Sequence, residues 1–206
     1  MTTKDRILDT SRILFNKVGI DSVSARTICA ELNISLGNFS YHYPNKNKII
    51  SDLFQSMLGD KHLVLRSMAG SEVAIVTYLE AHKQLFMIQE KYKFFYLNLF
   101  EILTHNQDIK QSYLSNSKAE RAMATKLLHF YSNNGVLIKG IKKEHYDRMI
   151  NVGQILSNSW LIDGELLYKG NEKKKLKYYM EICCGLLEPY LTQTSLKQYN
   201  EYFNSL

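Results

Sequence analysis

Only two prolines, Pro44 and Pro189, and ten glycines punctuate 206 residues, and that scarcity of turn formers constrains the fold more than any other feature. A β-sandwich or barrel needs a turn signal every ~8 to 12 residues, which this chain does not supply. Apolar residues at 45% and charged residues at 22% are ordinary globular usage and exclude a disordered or collagen-like chain. The reading is all-α, with a length that suits one large domain or two small ones.

Helical periodicity supports it. Ile7, Leu8, Ser11, Leu14, Phe15 and Val18 recur three or four apart, which predicts an amphipathic helix from Lys4 to Val18 with Gly19 as its left-handed cap. Ser24 is placed to cap a short helix carrying Ile28 and Leu32, and Asn33, which tolerates positive φ, to make a tight turn. Ile34 then re-enters the core and Ser35 caps a third helix that must stop before Pro44. A fourth runs from Asn45 through Ile49, Ile50, Leu53, Phe54, Met57 and Leu58 to about residue 67, with a break at Ala69, Gly70 and Ser71. Five longer helices are predicted at about 71–90, 92–104, 107–132, 143–168 and 172–191, followed by a short tail after Thr192. The architecture is an N-terminal three-helix domain over residues 1–47 and a helical bundle over 48–206.

A helix, a tight turn and a second short helix are the parts of a helix-turn-helix, whose second helix enters the major groove. Here that helix turns Ile34 and Phe39 inward and leaves Leu36, Gly37, Asn38, Tyr41 and His42 outside. No carboxylate lies between Asn33 and Pro44, so the face approaches phosphates and base edges without repulsion. Arg26, Lys46 and Lys48 flank it. In residues 1–50 seven Lys and Arg face four carboxylates, which places half of the chain's net charge of +6 in its first quarter.

The runs Ile7 to Gly19, Ile28-Cys29-Ala30-Glu31-Leu32-Asn33-Ile34-Ser35, Gly37-Asn38-Phe39-Ser40-Tyr41-His42-Tyr43-Pro44-Asn45-Lys46 and Ile49-Ile50 resemble the N-terminal domain of the tetracycline-repressor (TetR) family of bacterial transcriptional regulators. The resemblance covers about residues 4–58. It implies an all-helical homodimer that binds operator DNA through its first three helices and holds a small-molecule pocket and the dimer interface in its C-terminal domain. Carried over by position, Arg26, Ser35, Leu36, Gly37, Asn38, Ser40, Tyr41 and His42 fall at DNA-contacting places and Lys46 where a phosphate is clamped. The family usually has glycine at Asn33, threonine at Asn38 and tyrosine at Ser40; the last substitution shortens a common phosphate contact.

Beyond residue 58 the sequence is less explicit. Aromatic residues, among them Phe86, Tyr92, Phe95, Phe100, Tyr113 and Trp160, are the candidate lining of a pocket for an apolar or aromatic effector. The two helices across 143–191 are the candidate dimer seam, as the resemblance implies. Enzyme signatures are absent: no nucleophile elbow, phosphate-binding loop, zinc-protease histidine pair or dinucleotide fingerprint. No Glu is followed three residues later by His, and no metal or other cofactor is expected. Cys29, Cys183 and Cys184 are too few for a disulfide framework and fit a reducing compartment. No apolar run approaches membrane-spanning length, and the expected location is the cytoplasm. The leading reading is a ligand-responsive, non-enzymatic repressor that binds a palindromic operator as a dimer. The alternative is a dimeric helical small-molecule-binding protein that has lost operator binding.

Overall fold

Thr2 opens the first helix with a reciprocal cap. Its hydroxyl accepts the Asp5 N–H at 3.2 Å, and the Asp5 carboxylate accepts the Thr2 N–H at 2.9 Å, so two orphan donors at the helix start are satisfied. In the computed structural model, which describes residues 1–68 and 71–206, this helix is α1, Thr3–Val18. Ser24 accepts the Thr27 N–H at 3.1 Å and starts α2, Ala25–Leu32. Asn33 then adopts φ 53°, ψ 50°, the left-handed turn its short amide side chain tolerates. Ser35 accepts the Asn38 N–H at 3.1 Å and starts α3, Leu36–His42, which stops at an extended Tyr43 ahead of Pro44. Asn45 caps α4, Lys46–Ser67, so one continuous helix carries the chain out of the N-terminal head into the bundle.

Gly19 corrects one expectation. Its φ of 82° is positive, but ψ is 158°, an extended conformation open essentially to glycine alone and not the left-handed helical cap. The Gly19 N–H still closes the helix on the Phe15 carbonyl at 3.1 Å.

The bundle consists of α5 Ile75–Lys91, α6 Lys93–Leu97, α7 Leu99–His105, α8 Gln107–Asn133, α9 Lys143–Leu166, α10 Glu172–Cys184, a 3-10 turn at Gly185–Tyr190, and α11 Gln193–Ser205. Of the predicted break at residues 69–71, positions 69 and 70 lie outside the described residues. Three other predicted boundaries move. Helix α5 starts at Ile75 because Glu72 is held in a turn, its carbonyl accepting from the Ala74 N–H and the Thr77 hydroxyl. The segment 92–104 is two short helices, broken at Asn98, whose side-chain amide donates to the Phe94 carbonyl at 2.7 Å. The helix expected to reach 191 ends at Cys184 and tightens into the 3-10 turn that accommodates Pro189, which has no N–H to donate.

The short tail expected after Thr192 is instead a thirteen-residue helix that buries Ser195, Tyr199, Tyr202 and Phe203. It is set in place by the Thr192 hydroxyl, which donates to the Gly135 carbonyl at 2.9 Å, and by an isolated antiparallel bridge between Leu137 and Leu191.

Core residues from head and bundle form a continuous cluster. Phe15 of α1 meets Phe94 of α6 at 5.4 Å between ring centroids, and Phe54 of α4 stacks on Phe95 at 5.1 Å. Helices α9 and α10 pack on each other, and the protomer leaves Ile155, Ile162, Leu166, Tyr178 and Ile182 of these helices exposed. Trp160, Met180 and Leu187 of the same region are absorbed by the protomer's own core. Among the described residues no helix is long and apolar enough to cross a membrane.

Candidate nucleic-acid interface

Helix α3 is only seven residues long and holds its place through side chains rather than its own hydrogen bonds. Phe39 is buried, and four residues on, where the same helical face recurs, Tyr43 is fully buried. The sequence reading passed over Tyr43, although its spacing from Phe39 is the signal that identifies it as the second anchor. With these two fixed, Leu36, Gly37, Asn38, Ser40 and Tyr41 are exposed and His42 is half-buried. Tyr41 is 85% exposed, with its ring edge-on to His42 at 5.1 Å. The phenol therefore faces solvent and gains nothing from the chain's own core. At Gly37 a Cβ would meet only the Ser35 hydroxyl, at 3.9 Å. The fold itself therefore leaves room for a side chain at this position.

The cations divide into two kinds. Arg26 is exposed at the start of α2, and no described carboxylate pairs with it. Lys46 is half-buried and donates to the Ile20 carbonyl at 2.7 Å, pinning the start of α4 to the α1–α2 loop. An ammonium carries three donors, so two remain for a phosphate. Lys48 is bound to Asp52 at 2.7 Å, and Lys4 shares that carboxylate at 3.5 Å. The neutralising role expected of Lys48 is thus partly met inside the protein.

The head is fastened to the bundle at the α5–α6 corner. Arg12 and Asn16, both on α1, donate to the Lys91 carbonyl at 3.2 and 2.9 Å, and the Asn16 carbonyl oxygen accepts the Phe94 N–H at 2.9 Å. On α4, Asp60 accepts from Lys91 at 2.8 Å and from the Tyr92 hydroxyl at 3.1 Å.

Between α4, α5, α8, α9 and the 3-10 turn lies a cavity of about 260 Å³. Of the expected lining residues, Phe86 and Tyr113 are present. The other four are not. Phe95 is consumed by its stack on Phe54, Tyr92 by Asp60, and Trp160 by its stack on Phe86 and its N–H bond to Gln89 at 2.6 Å. Phe100 is 86% exposed, because the break at Asn98 resets the helical phase and turns it to solvent. Lys61, His82, Gln89, Tyr96 and Arg121 line the cavity without having been foreseen. Lys61 had a signal, since it lies on the apolar face of α4 four residues from Met57 and from Leu65.

His82 is half-buried beside this cavity with Nδ1 3.0 Å from the Tyr78 carbonyl, and desolvation lowers its pKa from 6.5 to about 4. The neutral ring donates from Nδ1 and keeps Nε2 as an acceptor. Because the folded value lies below the unfolded one, protonation favours unfolding. Stability is therefore complete above pH 6.5 and falls as pH drops toward 4, by at most ~1.4 kcal/mol per pH unit from this group. Thermal unfolding of the protein and of His82→Phe across that range checks this; an equal slope in both would assign it elsewhere. Among the described residues no group of His, Cys, Asp and Glu is placed to hold a metal ion.

A family model described as bacterial regulatory proteins, tetR family, matches residues 7–53, and one described as bacterial transcriptional repressor matches residues 61–199. A TetR-family transcriptional regulator from Marinobacter aquaeolei VT8 superposes with a TM-score of 0.83 at 23% identity, over 100% of this chain and 98% of that one. The ketosteroid transcriptional regulator KstR2 of Mycobacterium tuberculosis gives 0.67 at 14% identity over 93% and 96% of the two chains. A transcriptional regulator from Saccharomonospora viridis in complex with choline gives 0.68 at 16% over 92% and 98%. No curated protein is similar enough in sequence to match.

Proposed function

Because this chain belongs to the TetR family of bacterial transcriptional regulators, we propose that it is a ligand-responsive repressor whose two-fold dimer presents paired α3 helices to successive major grooves of a palindromic operator. The observation that carries this reading is the exposed, carboxylate-free face of α3 on a head of net positive charge. Half-site centres then lie ~34 to 36 Å apart, or a multiple of that, because the two helices must meet the duplex on one side. Arg26 and Lys46 hold phosphates, while Leu36, Asn38 and Tyr41 read base edges, with Gly37 allowing close approach. Ser35, Ser40 and His42 add short hydrogen bonds at the rim.

The dimer forms through the exposed stripe of α9 and α10. The boundary between reading head and regulatory bundle falls at residues 47–48, inside α4, so the two parts share one rigid helix. An effector in the cavity shifts operator affinity only by the difference in its own affinity for the two head arrangements.

Gel-shift and in-vitro selection with the gene's upstream region test the reading. Lys46→Ala is expected to weaken binding to all sequences and flatten the salt slope by about one unit. Asn38→Ala is expected to lose ~1 to 3 kcal/mol of discrimination at one base position. An unchanged slope or an unchanged sequence preference would contradict the respective role, and the absence of any shifted fragment would leave a binding protein without an operator.

A further inference from the structure

The cavity has two chemically different ends. Along antiparallel α8 and α9, one end gathers Asn116, Ser117, Glu120, Arg121, Gln154 and Asn158, and the other gathers Leu127, Leu128, Met149 and Ile150, joined by Leu186 of the 3-10 turn. A ligand that satisfies both ends has a polar head and an apolar body.

The charges decide the sign of the head. The ionised lining groups are Lys61, Arg121 and Glu120, so cations outnumber carboxylates; His82 is held neutral. Lys61 bonds Glu120 at 2.5 Å, but the two partners sit differently: the lysine side chain is 18% exposed and the glutamate 40%. Burial disfavours the ammonium, yet Tyr96 and Glu120 outweigh it and keep the pKa of Lys61 above the ordinary lysine value. Lys61 is therefore a fixed internal cation and Glu120 an exchangeable counterion at the rim, free to rehydrate if another anion takes its place. Arg121, exposed at the same end, is bound among the described residues to the neutral amides of Asn151 and Gln154 and to no carboxylate, so a second cation borders the polar end.

We propose that the effector is an anionic amphiphile, a carboxylate on a short apolar chain, whose head displaces Glu120 from Lys61 and whose body fills the leucine-lined end. The volume of 260 Å³ lies just below the ~300 Å³ at which pockets for drug-sized ligands begin, which suits a small amphiphile. A cationic head meets Lys61 and Arg121 and is repelled, and a neutral head has no charge with which to compete against Glu120. This inference rests on the cavity being the regulatory site.

Calorimetric titration of the full-length, DNA-free protein with octanoate, octyl phosphate, octanol and octylamine tests it. Octanoate is expected to bind roughly tenfold or more tightly than octanol, and octylamine not at all. Octyl phosphate ranking above octanoate, with both above the alcohol, would identify a phosphate ester as the source of the anion and overturn the carboxylate assignment. Lys61→Met is expected to erase the preference for acid over alcohol. Glu120→Gln, which removes the internal competitor, is expected to tighten octanoate several-fold; a purely structural glutamate would give weaker binding. Octanol equalling octanoate, or Glu120→Gln weakening it, overturns the proposal. Because DNA is absent, these failures leave the operator reading intact. That reading fails separately if the protein binds octanoate yet shifts no upstream fragment.

Discussion

The double substitution Ile162→Glu with Leu166→Glu is expected to convert the protein to a monomer and to weaken operator binding by ~10² to 10⁴-fold, the avidity lost when two linked sites act singly. Both side chains are exposed in the protomer, Leu166 at 68%, so charging them leaves the protomer's fold intact and its circular dichroism unchanged. Exposed apolar side chains recurring on two packed helices are the kind of surface that marks a subunit contact. Sedimentation equilibrium and gel-shift on the same preparation measure both effects. A dimer that survives two buried carboxylates would place the subunit contact elsewhere.

The largest expected loss of stability is at Trp160. Its ring stacks on Phe86 with centroids 4.8 Å apart, lies 5.4 Å from Tyr179, and its N–H donates to Gln89, which in turn donates to the Ser157 carbonyl and hydroxyl. Trp160→Ala removes a buried aromatic and orphans the Gln89 acceptor, at a cost of ~3 to 5 kcal/mol. Trp160→Phe keeps most of the packing and is expected to fall well short of that. Urea unfolding of the two variants separates packing from the hydrogen bond; equal losses would mean that the polar network, not the ring, dominates.

The head was legible in the sequence because its instructions are local. Ser24, Asn33, Ser35 and Pro44 each act within three or four residues, and each performs the expected capping, turning or stopping role. The bundle was legible only as helix, since its breaks and burials are tertiary. Nothing near Asn98 announces a break; it becomes one where the Asn98 side-chain amide turns back onto the Phe94 carbonyl, a contact the local sequence pattern does not signal. Helix α11 was hidden by its Gln, Thr, Ser and Asn content, although Ser195, Tyr199, Tyr202 and Phe203 recur at helical spacing. Aromatic identity alone misplaced the cavity lining because most large rings were already occupied with each other, whereas an inward lysine on α4 was the better signal.

The fastening of α1 to the Lys91 carbonyl has a mechanical consequence. The head rests on two bearings, the continuous α4 shaft and the α5–α6 corner, and Asp60 ties the shaft to that corner. A body held at two points pivots when one of them shifts; it does not slide. On the proposed reading, a ligand drawing on Lys61, one residue from Asp60, would act on angle, and in a two-fold dimer the tilt of each half would enter the separation of the reading elements twice. DNA of fixed pitch would register that doubled error as lost affinity, so a small movement at the cavity would suffice without any rearrangement inside the head.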